Sequence, residues 1–419
     1  MIHLTLILAL MLLQTPSLDS PSPKERLDAV EAMSLPGRSE NVPALSAALK
    51  KEARGDVRAA IVAGLGRIGG PDVIPVLVES LKSDLDKDVR LQVVDSIQRL
   101  YIPVNSQGTI KTVFNKVKSV FAEPDRPLIQ NPAVVDPVVN TALADTMQKD
   151  FSEEVRAAAA RALGSLRARD RVAILIATLE SPQHRDHHEV RLEIVESLGL
   201  IRDDAAGPAL QRAIKDPDRS ISQAAILAVG LVAYKEARPT LEDIFKNDKS
   251  EESRKRALEA IALIRDPGSQ PLLESLLGSM NDSYRELAAE GLARINPDPA
   301  ILKTRYETEK KANVRNALAF ALVAADQDMY FADLAAALDT RQAYQAEVYV
   351  FELGKFEGKL PELHRYLKSG NSKVRAKMVK IVGNIGDPSS RALIEELTKD
   401  KDSDVAGEAI VALRKLTPA

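Results

Sequence analysis

One short pattern recurs along this chain and limits its fold more than any bulk property does. It opens with Val-Arg or a close variant, as in "DVRAAIVAGLGRIGG" at 56–70, "EVRAAAARALGSL" at 154–166, "EVRLEIVESLGLI" at 189–201 and "KVRAKMVKIVGNIG" at 373–386. Aligned on the first residue of the pair, copies begin at Val57, Val89, Val155, Val190, Ile221, Ser253, Tyr284, Val314, Val374 and Val405. The spacing is about 31 residues except at two places, 66 after Val89 and 60 after Val314, and each doubled interval predicts one degenerate copy. Arg26, in "PKERLDAVEAM", opens a partial first copy, so about twelve are expected.

With the first residue of the pair as position 0, apolar residues fall at 0, +4, +5, +7, +8 and +11. Val57, Ile61, Val62, Gly64, Leu65 and Ile68 show this, as do Val374, Met378, Val379, Ile381, Val382 and Ile385. That spacing is one broad face of an α-helix. A break such as "GGPD" follows, then a second apolar helix such as "VIPVLVESLK" at 73–82, then a polar loop. Two helices of this size cannot bury their apolar faces alone, so copies must stack into an α-solenoid held by nearest-neighbour contacts. Aromatics make up only 4% of the chain, with no Trp, which suits stacked helices better than a sheet.

The register resembles that of HEAT repeats of the short bacterial type, found also in phycocyanobilin lyases and deoxyhypusine hydroxylase, over most of residues 23–419. The resemblance implies an all-α fold, a right-handed superhelical solenoid of about twelve two-helix repeats. It also implies that the Val-Arg helices line the concave side. Four segments follow: 1–20 as an export signal, 21–100 and 138–419 as repeats, and 101–137 as an insertion.

The leader reading rests on an apolar run from Leu4 to Leu13, too short to span a bilayer readily and followed by a polar, Pro-rich stretch. Export to the periplasm or beyond is expected; an uncleaved tether is the alternative. The chain has no Cys, which removes thiol catalysis, disulfides and thiolate metal sites. A formal net charge of -3 argues against a nucleic-acid partner.

At +1 stands a column of arginines, including Arg58, Arg90, Arg156, Arg191, Arg254, Arg285, Arg315 and Arg375. It could track phosphates. The resemblance favours a structural role, with each arginine bonded to loop carbonyls or to adjacent acids such as Asp56, Asp88 and Glu189. Three of the five histidines, His184, His187 and His188, crowd one loop with Asp186 and Glu189 and raise the question of a transition metal, against a plain solvated loop. The hydroxylase needs several His-Glu pairs within its helices. Only His188-Glu189 occurs, ahead of the Val-Arg pair, so that activity does not carry over. No nucleophile elbow, phosphate loop, zinc-protease or dinucleotide motif is present. No cofactor or metal is expected.

Function is therefore sought where the helices face outward and where the repeat breaks. Positions +2, +3, +6 and +10 fall off the apolar face, and the +6 column carries Glu196, Glu259 and Glu290 among others, an expected acidic partner surface. Within 101–137, Ile110, Val113, Phe114, Val117, Val120 and Phe121 form a stripe flanked by Lys111, Lys116 and Lys118. Phe114, Lys118 and Phe121 are candidate contacts: the helix at 109–121 either packs on the repeats or docks on a membrane surface or a partner. The second break, about 320–366, holds half of the chain's aromatics, as packing filler or as binding anchors. The resulting expectation is a non-enzymatic protein-binding scaffold. The alternative is an enzyme or enzyme subunit, handling a chromophore as a lyase does or using a metal for oxidation and reduction.

Overall fold

The computed structural model describes residues 17–102, 134–295 and 298–416. It is an all-α solenoid, and no strand occurs among the described residues. They divide into two compact units: 17–102 with 134–228, and 229–295 with 298–416. Twelve helices carry the Val-Arg register, from Pro23–Met33 to Ser403–Leu416, and shorter helices alternate with them.

The sequence dictates each element locally. In most copies the loop before the Val-Arg helix carries an acid at −5, whose carboxylate can accept from the backbone N–H at −3: Asp84 from Asp86, Asp150 from Ser152 and Asp400 from Asp402. The −3 side chain in turn caps the helix, as Asp86, Ser152, Asn281 and Asn371 do. Most of the short helices begin with a 3₁₀ turn, and several place Pro second, as in Pro75, Pro239, Pro271 and Pro361, where no backbone donor is lost. Their buried residues sit four apart, such as Leu45 with Leu49 and Leu77 with Leu81, which makes one narrow apolar edge.

Within each unit consecutive Val-Arg helices pack side by side through small residues. Position +9 of one helix meets +7 of the next: Gly66 against Ser96 and Gly164 against Ser197 in the first unit, and Gly230 against Ala260 and Gly383 against Ala412 in the second. A Cβ on Gly164 would lie 2.8 Å from the Cα of Ser197, so the two backbones approach about as closely as they can. The branched and long apolar residues at 0, +4, +5 and +8 then close the layer toward the short helices; Val57, Ile61, Val62 and Leu65 are wholly buried or nearly so.

The two wide intervals have different causes. The second holds a degenerate copy, as the spacing predicts. The copy is Ala343–Leu353, which lacks the Val-Arg mark but keeps the buried pairs Ala346 with Glu347 and Tyr349 with Val350, followed by buried Leu353. The first holds no hidden copy among the described residues. Arg90 reaches directly to Asp150, the −5 acid of the copy starting at Val155, so these copies are neighbours and the extra length is inserted between them. Three aromatics of the second break, Phe320, Phe331 and Tyr349, fill core space, and Phe320 stacks on Tyr349 at 4.8 Å with the rings 3° from parallel, whereas Tyr344 is 41% exposed.

Candidate functional site

The arginine column is structural; the expected loop carbonyls accept from it, while its acidic partners differ from those expected. In several copies the guanidinium bridges two loops, whereas Arg254 pairs with Glu251 of its own helix and Arg315 lies over the Tyr306 ring. Arg58 binds Asp84 with both oxygens at 2.8 and 2.9 Å and donates to the carbonyl of Ala53; Arg90 binds Asp150 at 2.7 and 2.8 Å and donates to the carbonyl of Asp84. Arg26–Glu52, Arg285–Glu309 and Arg375–Asp400 repeat the clamp. The acid is thus the −5 residue of the following copy, not the neighbour at −1: Asp56 pairs instead with Arg54. A side chain leaving the first turn of a helix lies over the preceding loop, and the next copy's loop stacks on that spot. Both partners of Arg90–Asp150 are more than nine-tenths buried.

The histidine loop joins the same scheme. His184 takes the place of the missing carboxylate, its Nδ1 2.6 Å from a nitrogen of Arg156, and burial together with Arg156 pushes its pKa down, so it stays neutral. His187 faces Glu153 and His188 faces Asp218, so the three rings serve three different partners. Among the described residues no group of three His, Asp or Glu is placed to hold a metal ion.

The outward side of the Val-Arg layer is less solvated than its polarity suggests. In the first unit Arg161 at +6 is paired with buried Glu193 of the next copy; burial alone would lower the arginine's pKa, but Glu193 and, more weakly, the half-buried Glu196 raise it. In the second unit the same face carries a connected network. Tyr349 donates to Oε1 of Glu290 at 2.5 Å, and Gln345 donates to Oε1 of Glu286 at 2.6 Å, to the Asn313 carbonyl and to the Tyr349 oxygen. Asn313 holds the other oxygen of Glu286 at 2.6 Å. Arg294 closes on Glu352 with two bonds of 2.7 Å.

Electrostatics separate these carboxyls. Burial pushes Glu290 up to about 7; Arg294 and Tyr349 oppose the shift, while Glu286 and Glu352 add to it. Burial also raises Glu259, partly offset by Lys255 and Arg256, and raises Glu286. Burial opposes ionisation of the half-buried Glu352 as well, yet Arg294 holds it below the usual range. Of the expected acidic column, Glu290 is therefore engaged by Tyr349, whereas Glu196 and Glu259 are half-buried on their helices. Phe114, Lys118 and Phe121 lie outside the described residues. Sequence inspection counted Tyr349 only among the aromatics of the second break and missed Gln345 and Glu352, because their copy has lost its Val-Arg mark. The signals were the 60-residue interval that contains them and the concentration of aromatics within it.

A family model described as HEAT repeats matches residues 14–98, 139–228, 183–262, 238–323 and 332–418. No curated protein gives a significant sequence match. Several solved structures are similar in fold. Human deoxyhypusine hydroxylase shares 14% identity, covering 86% of this chain and 99% of that one, at a TM-score of 0.30. A chain of the phycocyanin lyase complex of CpcE and CpcF from Nostoc shares 17%, covering 63% and 99%, at 0.41. Kap95p, solved with RanGDP, shares 14%, covering 95% and 60%, at 0.45. With the family model matched over most of its length, the chain belongs to the HEAT-repeat family.

Proposed function

We propose that this chain is a non-enzymatic scaffold that binds protein partners along the outward face of its Val-Arg helices, together with the insertion at 101–137. The observation that carries the reading is the preorganised polar face of the second unit. Glu286 is held at both oxygens by Asn313 and Gln345, and Glu259 stands beside Lys255 and Arg256 on the preceding helix. Side chains already fixed by neighbouring copies lose little entropy when a partner arrives. The clamps beneath them keep the helices in register, which suits a surface read over several repeats. With residues 1–20 read as an export leader, the proposal sets this scaffold outside the cytoplasm, in the periplasm or beyond.

A photocrosslinking residue placed at Glu196 or Glu259 of the intact chain in its native cell tests the reading. Defined protein adducts are expected from both sites and few from Glu79, exposed on a short helix. Equal labelling from Glu79, or no adducts, refutes it. Cell fractionation with N-terminal sequencing tests export. The enzymatic alternative has one structural handle, Glu290, a carboxyl titrating near neutrality beside Tyr349 and Arg294. A stoichiometric metal or a visible absorption band in the purified protein would favour that alternative.

A further inference from the structure

In the first unit one loop holds two guanidinium groups that have no carboxylate partner among the described residues. Position +12, just past each Val-Arg helix, adopts a left-handed backbone in several copies, and Gly69 and Gly386 supply it without strain. In the copy starting at Val155 the residue there is Arg167, at φ 49. It is half-buried, its Nε is sealed from solvent with no acceptor, and no ion pair to it exists among the described residues. Burial and the nearby Arg169 lower its pKa, so its surroundings are poor in negative charge. Arg169 is exposed and likewise has no carboxylate partner among the described residues. Arg171 is occupied: it lies 3.2 Å from Asp170 and donates to Thr141 at 2.9 Å.

That last bond, with Asn140 donating to Asp170 at 3.0 Å, seats the loop against the start of helix Pro137–Lys149. Val134 and Val138 there are 52% and 42% exposed. Two open guanidiniums thus lie on a loop packed against a helix start that shows exposed valines. Elsewhere in this unit the chain shows which group it uses to close such a fork: Glu52 for Arg26, Asp84 for Arg58 and Asp150 for Arg90. A partly buried guanidinium without a counter-charge is costly, and a carboxylate matches its planar fork with two bonds.

We propose that the loop 166–171 and the adjoining start of helix Pro137–Lys149 form a docking site for an acidic, partly apolar segment of a protein partner, whose carboxylates close Arg167 and Arg169 and whose apolar side chains cover Val134 and Val138. The proposal rests on the scaffold reading but uses a different surface, so the two fail separately. Peptide binding at this loop without crosslinks from Glu196 or Glu259 removes the face described above and keeps this site; crosslinks there without peptide binding do the reverse.

The probe is a fluorescein-labelled peptide of alternating glutamate and leucine, titrated by anisotropy into the full chain beside its glutamine-and-leucine counterpart. The glutamate peptide is expected to bind at least tenfold tighter. Arg167→Gln and Arg169→Gln are each expected to weaken it several-fold, and together to erase the difference between the peptides. Arg185→Gln, an exposed arginine in the loop before helix His188–Ile201, is expected to change nothing. Melting curves accompany each variant; should Arg167→Gln disturb folding, the exposed Arg169→Gln carries the test. Three results overturn the proposal: unchanged binding by the double variant, an equal loss from Arg185→Gln, or displacement of the peptide by millimolar inorganic phosphate, which would mark a general oxyanion site.

Discussion

Gly164→Ala and Gly407→Ala are the same chemical change inside two Val-Arg helices, and the structure gives them opposite signs. Taken alone, a helical glycine replaced by alanine gains about 0.5–1 kcal/mol, because the unfolded chain loses freedom and helix propensity improves. At Gly407 nothing lies within 4 Å of the added methyl, so that gain is expected almost in full. At Gly164 the methyl would meet Oγ, Cβ and Cα of Ser197 at 2.4, 2.7 and 2.8 Å, where carbon atoms prefer about 3.5–4.0 Å. Two of these atoms cannot rotate away, so the helices must separate. Separation also strains the bond from Ser197 Oγ to the Ala160 carbonyl, now 2.8 Å. Overpacking costs about 1–3 kcal/mol and the hydrogen bond about 1 kcal/mol. After subtracting the propensity gain, a net loss of about 2 kcal/mol remains. Urea denaturation of the full chain followed by circular dichroism measures both variants. Stabilisation by both would refute the claim that small residues at +7 and +9 set the spacing of this layer.

Leu163→Ala, at a wholly buried position, should cost about 2–5 kcal/mol, with unfolding in stages because contacts are local; a single transition with an unchanged midpoint would count against the packing described. Asp150→Asn leaves buried Arg90 without its charge partner and should cost about 3–5 kcal/mol in the same assay, whereas Glu154→Gln, in the exposed pair with Lys87, should leave the midpoint where it was. Glu290 gives a pH signature. Its folded pKa of about 7 lies above the ordinary 4.5, so the native state binds the extra proton and this group's contribution falls as pH rises from about 4.5 to 7, by up to about 3 kcal/mol. Glu290→Gln should flatten that slope in melts taken between pH 5 and 7.5, and an unaltered slope would show that Glu290 is not its source.

The fold class was legible because its information is local. A spacing of 0, +4, +5, +7, +8 and +11 specifies a helix face in any context, and its return every 31 residues leaves stacking as the means of burying that face. The structural role of the arginines could be read as well, from their place in the first turn. Which groups they bind could not. Asp56 stands two residues from Arg58, yet Asp84 holds it, and Asp150 reaches Arg90 only because the inserted segment leaves the stack of copies continuous. The same holds for His184, which looks like a metal ligand in sequence and replaces a carboxylate in space.

The acidic column shows the division most clearly. Sequence alone put Glu290 on the outward side of its helix, yet in the structure its side chain is only 20% exposed, covered by residues of other copies. That its carboxyl would be met by Tyr349, 59 residues on, and that Glu352 would be taken by Arg294 follow from the register between copies two apart. Periodicity determines which face of a helix is buried; it does not say which side chain of a distant copy arrives opposite a given one. A pKa is set by that arrival, through the water it displaces and the charges it brings. The sequence of this protein determined its helices, its repeat and its stacking, while the pairing of its charges was decided only when the copies met.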